Sequence, residues 1–152
     1  RWTEKGFVEV AKRMQKRALP VIWMGSPQES PLCENLREQV PHSLSLAGKV
    51  SLLQSFLALE KGYALISNDS GSMHLGAAAG LPTVAVFGPT TLDIGYRPWQ
   101  KPALVVQKAL KCRPCGRHGH HKCPLSHHHC MTTITAVEVL EAFEGLTLPA
   151  DS

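Results

Sequence analysis

Asn68-Asp69-Ser70-Gly71 stands between two apolar runs, and His74 follows about one helical turn after Ser70. The run before it, Tyr63 to Ile66, reads as a short buried strand; the run after it, Met73 to Ala79, consists of small helix formers. The polar cluster therefore belongs where a strand ends and a helix begins. Backbone N–H groups point outward without intrahelical partners there and attract an anion. Gly71 has no side chain to obstruct a phosphate. Asp69 would repel a phosphate, so it suits ligand hydroxyls or the helix cap. His74 can face the same ligand and donate to a phosphate oxygen. The plainer alternative is that Asp69 or Ser70 only caps a helix and His74 is a half-buried histidine with its own partners.

A second group with chemistry is "KCRPCGRHGHHKCPLSHHHC", which spaces Cys112-x2-Cys115-x7-Cys123-x6-Cys130 with six histidines between. The first pair has zinc-knuckle spacing, and four thiolates make a closed tetrahedral site; Cys3His sets are open as well. Pro114 and Gly116 suit a tight turn. Reduced free cysteines and disulfides are the alternatives, the latter disfavoured in a reducing compartment. Lys111, Arg113, Arg117 and Lys122 make the same stretch basic, so it can meet an anionic lipid or membrane face, or be a solvated insertion. It contains no Phe, Tyr or Trp to stack on bases, which argues against nucleic acid. The fifth cysteine, Cys33, reads as a small apolar residue on a helix.

The elements that must position these groups alternate. Thr3 caps a helix on which Phe7, Val10, Ala11 and Met14 share a face, ended by Pro20. Val21 to Met24 is a strand, Gly25-Ser26-Pro27 a turn, and Leu32 to Val40 a helix stopped by Pro41. Leu44 to Ala47 is a weak strand before Gly48-Lys49. Ser51 caps Leu52 to Glu60, with Leu53, Phe56 and Leu57 on one face. Thr83 to Phe87 and Ala103 to Val106 are further strands. Gly88-Pro89-Thr90 and Tyr96-Arg97-Pro98 are loops, Lys111 to Met131 is irregular, and Thr135 to Phe143 is a closing helix with Ala136, Val137 and Leu140 inward. Short apolar strands alternating with helices predict an α/β fold, a parallel sheet with helices on both faces. Ligands of such sheets bind beyond the carboxyl ends of the strands. The turns at Gly25, Gly48, Asn68 and Gly88 all follow strands and should gather on one rim.

With 152 residues, 43% apolar and 18% charged, the chain fits one ordinary domain, residues 1–152, with an embedded Cys/His-rich loop at 111–131. The net charge of +4 is mild. No apolar run is long enough to span a bilayer, and no secretory leader is read. The start at Arg1 suggests a fragment of a longer chain.

The order of motifs adds a family resemblance. "RWTEKGFVEVAKRM", "VIWMGSPQES" and "LAGKVSLLQSFLALEKGYALISNDSGSMHLGAAAGLPTVAVFGPT" follow one another. Together they resemble the C-terminal half of the glycosyltransferase family 9 enzymes, the ADP-heptose:lipopolysaccharide heptosyltransferases. The shared features are a Trp opening, a Gly-Lys-Val-Ser-Leu turn, the Asn-Asp-Ser-Gly-x-x-His turn and a Phe-Gly-Pro-Thr segment. The resemblance implies the Rossmann-like C-terminal domain of a two-domain GT-B enzyme, binding the ADP-sugar donor. It implies that Asp69, Ser70, Gly71 and His74 touch heptose and diphosphate, His74 stabilising the leaving group. Lys49, Val50 and Ser51 would lie along the adenosine, and Glu29 would contact the ribose.

The implied reaction is an inverting transfer to the lipopolysaccharide inner core, needing no metal. The acceptor and the general base would belong to an absent N-terminal domain, leaving this half inactive alone. The resemblance also implies a donor-phosphate lysine shortly before the opening Arg-Trp, a position cut off or lost ahead of Arg1. The implied location is cytoplasmic, peripheral to the inner membrane. Competing expectations are a different GT-B nucleotide-sugar enzyme using a UDP-sugar, and a zinc-dependent binding module built on Cys112, Cys115, Cys123 and Cys130.

Overall fold

The Thr3 side chain accepts from the Gly6 amide and starts α1, Glu4–Lys16. The remaining elements of this computed structural model are β1 (Ile22–Trp23), a 3-10 turn at Pro27–Glu29, α2 (Ser30–Gln39), β2 (Leu44–Ser45), α3 (Leu52–Glu60) and β3 (Leu65–Asn68). They continue through α4 (Gly71–Ala78), β4 (Thr83–Val86), β5 (Ala103–Val106), α5 (His129–Thr132) and α6 (Ala136–Thr147). The structure describes residues 1–90, 92, 98, 102–116 and 122–147.

All the strand pairings are parallel, as the alternating pattern predicts. They form a two-stranded sheet, β1-β2, and a three-stranded sheet, β3-β4-β5. Leu65 pairs with Thr83 and Thr83 with Ala103; at the far ends Asn68 pairs with Val86 and Val86 with Val106. The strands thus finish level. The turn after Asn68 and the turn after Val86 leave the sheet side by side.

β4 is buried along its length, and its period-two alternation serves two layers. Val84 and Val86 face a core with Val10 and Met14 of α1 and with Val139, Leu140 and Phe143 of α6. Ala85 and Phe87 face Met73 of α4. A separate core joins Val8 and Ala11 of α1 to Trp23, Cys33, Leu36, Val40 and Ala47. Cys33 is buried there, as expected, and burial first, then the Glu29 and Glu34 carboxylates, push its thiol up.

Three expectations change. The α3 face carrying Leu53 and Leu57 stays in solvent, at 68% and 50% exposure, and only Leu59 of that helix is buried. α3 packs against α4 instead of lying on a sheet. Val137 is half exposed while Val139 takes the inward place. The buried stripe of α6 is Ala136, Val139, Leu140 and Phe143, the i, i+3, i+4, i+7 spacing of one helical face, and Val137 lies off it. Among its described residues the 111–131 stretch also enters a regular element, α5, which carries the buried Cys130 and Met131. Tyr96, Arg97 and the middle of the Cys/His stretch (Arg117, His118, His120, His121) lie outside the described residues.

Candidate functional site

The level strand ends open onto a cleft of about 320 Å³. Asn68, Asp69 and Ser70 line it from the end of β3, and Gly88, Pro89 and Thr90 from the end of β4; Arg1, Glu29 and Met131 complete it. The Asp69 amide donates to the Val86 carbonyl at 3.1 Å, which extends the β3–β4 ladder into the two turns.

Asp69 is not the helix cap. Ser70 occupies the N-cap of α4 in extended backbone, φ −158° and ψ 173°, and its hydroxyl lies 3.4 Å from that of Ser67. The Asp69 carboxylate instead accepts a hydrogen bond from the Thr90 hydroxyl across the cleft floor. Gly71 opens the helix, and a Cβ added there would meet nothing within 4 Å. Space for a ligand therefore lies in front of the first amides of α4, the end that favours negative charge. His74 is half-buried on the same helix, beyond the cleft lining.

The chain opening is carried to this rim by its tryptophan. Trp2 is 3% exposed. Its backbone amide donates to Asn68 Oδ1 at 2.7 Å, and its indole N–H to the Ile134 carbonyl at 2.9 Å. Arg1 is thereby placed over the cleft, where its guanidinium donates to Glu29 at 3.3 Å. The Ser26 backbone N–H, 2.9 Å from Oε2, does most to hold the Glu29 carboxyl below the usual glutamate range; the Ser26 hydroxyl and the Arg1 charge act in the same direction.

The Gly48 turn goes elsewhere. Gly48 has φ +69° and sits over Pro27, whose Cα would be 2.9 Å from an added Cβ, so a larger residue is excluded by both strain and space. Lys49 pairs with Glu34 at 2.7 Å. Ser51 accepts from the Gln54 amide while Gln54 reaches back to the Ser51 amide, closing a capping box at the head of α3. Lys49, Val50 and Ser51 do not line the cleft. Of the eight expected donor residues, the structure brings Glu29, Asp69 and Ser70 together around it.

Sequence reasoning passed over Arg1, Asn68, Thr90, Met131 and Arg113. Gly-Pro-Thr was legible as a loop, but not that its hydroxyl reaches Asp69. Gly88 admits Met131, which would be 2.5 Å from an added Cβ. Arg113 extends from the cysteine stretch to the same wall. Its guanidinium donates to the Thr90 carbonyl at 2.6 Å, to Gln107 Oε1 at 2.9 Å and to the Lys108 carbonyl. Burial draws that guanidinium's pKa down, while the surrounding Cys130, Cys112 and Cys115 act in the opposite sense. The Cys115 amide donates to the Pro89 carbonyl at 2.9 Å.

None of the five cysteines is in a disulfide. Burial first, then the neighbouring Cys115, raises the Cys130 thiol, whereas the His128 backbone N–H lowers that of Cys123. The Cys115 thiol turns back to the Cys112 carbonyl at 3.0 Å. Among the described residues, no three His, Cys, Asp or Glu side chains are placed to hold one metal ion. No helix of the described residues is long and apolar enough to cross a membrane.

Comparison with known proteins gives a consistent result. Residues 1–126 match the family model of glycosyltransferase family 9 (heptosyltransferase). A lipooligosaccharide heptosyltransferase 2 from Campylobacter jejuni subsp. jejuni serotype O:6 is 31% identical, covering 98% of this chain and 48% of the relative. The lipopolysaccharide heptosyltransferase 2 of Escherichia coli is 27% identical, over 100% of this chain and 44% of its own. The solved structure of E. coli ADP-heptose lipopolysaccharide heptosyltransferase II superposes with a TM-score of 0.79 at 27% identity, covering 97% of this chain and 42% of that one. The chain spans just under half the length of these relatives.

Proposed function

The chain belongs to glycosyltransferase family 9, and from that premise we propose that it is the donor-binding half of a heptosyltransferase, holding ADP-heptose for transfer to a lipopolysaccharide inner core. One observation carries the reading. Asp69 and Thr90 meet across the ends of two adjacent parallel strands, directly before the open amino end of α4.

In this reading the diphosphate lies before α4, against the amides of Gly71 and Ser72. The Asp69 carboxylate, oriented by the Thr90 hydroxyl, accepts from sugar hydroxyls. Arg1 and Glu29 face the other side of the cleft, where the positive guanidinium suits the diphosphate and the carboxylate suits the ribose. During transfer an acceptor oxygen, its proton taken by a base, attacks the anomeric carbon from the face opposite the leaving group. The bond from that carbon to the diphosphate oxygen breaks and the configuration inverts. Charge then builds on ADP. The fixed amides of α4, with His74 one turn along, stabilise it without reorganising. The relatives are about twice as long as this chain, and we assign the acceptor site and the base to the other half of such an enzyme. That substrate would place the enzyme at the cytoplasmic face of the inner membrane.

Titration calorimetry with ADP, ADP-heptose and UDP tests the reading. Adenine-selective binding is expected, tighter for the sugar nucleotide than for ADP. A preference for UDP would move the chain to another nucleotide-sugar chemistry, and binding of none of the three would overturn the assignment of the cleft.

A further inference from the structure

The cysteine-rich stretch has no part in the donor chemistry described above, yet two of its residues hold one wall of the cleft. We propose that Arg113 is a positioning residue for the donor-binding carboxylate: it fixes the Pro89–Thr90 wall so that the Thr90 hydroxyl stays on Asp69. The inference rests on the donor reading of the cleft.

The connections form an unbroken path. Lys108 is tied to α6 through Glu138 at 2.5 Å. The Lys108 carbonyl accepts from Arg113, and the same guanidinium donates to the Thr90 carbonyl at 2.6 Å. The Cys115 amide takes the preceding carbonyl, that of Pro89, at 2.9 Å. Both carbonyls of the wall are thus claimed from one short segment, whose own turn closes through Arg113 N–H to the Leu110 carbonyl at 3.0 Å. Thr90 is 6% exposed; its carbonyl accepts from Arg113 while its hydroxyl donates to Asp69. A planar guanidinium serves several acceptors at fixed angles, which a lysine ammonium does not. Among the described residues its Nε is buried without a partner.

The test has one readout that needs no ligand and one that does. Three-bond couplings of Thr90 in the 152-residue chain report whether its χ1 is locked or averaged. Calorimetry with ADP-heptose reports affinity. Arg113→Gln and Arg113→Lys should both let Thr90 average and weaken ADP-heptose by about tenfold, the loss typical of a hydrogen bond to a charged group. Thr90→Val should weaken it similarly, Thr90→Ser should restore it, and adding Arg113→Gln to Thr90→Val should cost nothing more. Lys122→Ala, exposed in the same stretch, should change neither readout. If neither Arg113 variant folds, Gln107→Ala removes one guanidinium acceptor at an exposed residue and should partly release Thr90.

A Thr90 χ1 that stays locked in these variants overturns the proposal. So does a released Thr90 with unchanged affinity. A wild-type chain that binds no ADP-heptose while Arg113→Gln still frees Thr90 defeats the donor reading and leaves the brace standing.

Discussion

Two turns of this chain look alike on paper and behave differently in the fold. Gly48-Lys49-Val50-Ser51 and Asn68-Asp69-Ser70-Gly71 both follow a short strand, both pair a small residue with a charged one, and both lead into a helix. In the first, both polar side chains are engaged outside the cleft. Lys49 is neutralised by Glu34 and Ser51 completes a capping box. In the second, the cap residue makes no side-chain cap bond and the carboxylate reaches across to Thr90. The difference lies in the neighbours. β2 pairs with β1 in the two-stranded sheet, whereas β3 lies beside the buried central strand β4. The first turn also meets its neighbour, the Gly48 amide donating to the Gly25 carbonyl at 3.2 Å and Gly48 lying over Pro27, so the two are packed together, whereas the second turn faces Gly88, Pro89 and Thr90 across an open cleft.

Removing the carboxylate should separate the turns most sharply. Asp69→Ala should weaken ADP-heptose by roughly 10- to 100-fold, as expected for hydrogen bonds to a charged group, with little change in the thermal midpoint. Unchanged affinity in a folded variant would dissolve the contrast. Next in size is Ser51→Ala, which should cost about 1 kcal/mol of stability, the usual loss for a helix N-cap, while leaving donor affinity alone. Urea denaturation alongside calorimetry reads both; a matching loss of affinity would return Ser51 to the site.

A smaller effect follows from Glu29. Its carboxyl is held below the ordinary range, foremost by the Ser26 amide. Its contribution is therefore complete above the unfolded glutamate value of about 4.3 and disappears as pH falls through the lower folded value. Exposure limits it to roughly 0.5 kcal/mol or less. Wild type should lose slightly more stability than Glu29→Gln between pH 7 and pH 3, and identical acid profiles would contradict the bond. The smallest change is expected from Lys49→Ala. Its exposed pair with Glu34 contributes little, and ADP affinity should stay within about twofold. A tenfold loss would show that the Gly48 turn swings over the nucleotide.

Local signals in the sequence were sufficient for the elements. Thr3 and Ser51 start the helices they were expected to start, and the apolar Thr83 to Val86 run is the buried central strand. These follow from near neighbours along the chain: a cap reaches three residues, and strand periodicity repeats every two. The motif order also carried the family and the position of Asp69, because a polar turn between strand and helix is itself a local feature.

What reaches Asp69 was not legible, since each partner comes from far along the chain. Thr90 is 21 residues away, and Arg113 meets Thr90 over 23. Asn68 positions the chain opening across 66 residues. Nor could periodicity show that Leu53 and Leu57 would remain in solvent. An apolar stripe specifies a face, but whether anything covers it depends on where the helix is docked. By itself the sequence determined which segments are helix or strand and which turn carries the acidic group. Tertiary structure alone decided which turns share a cleft, because parallel strands of equal register bring distant turns to one edge, where their side chains can bond.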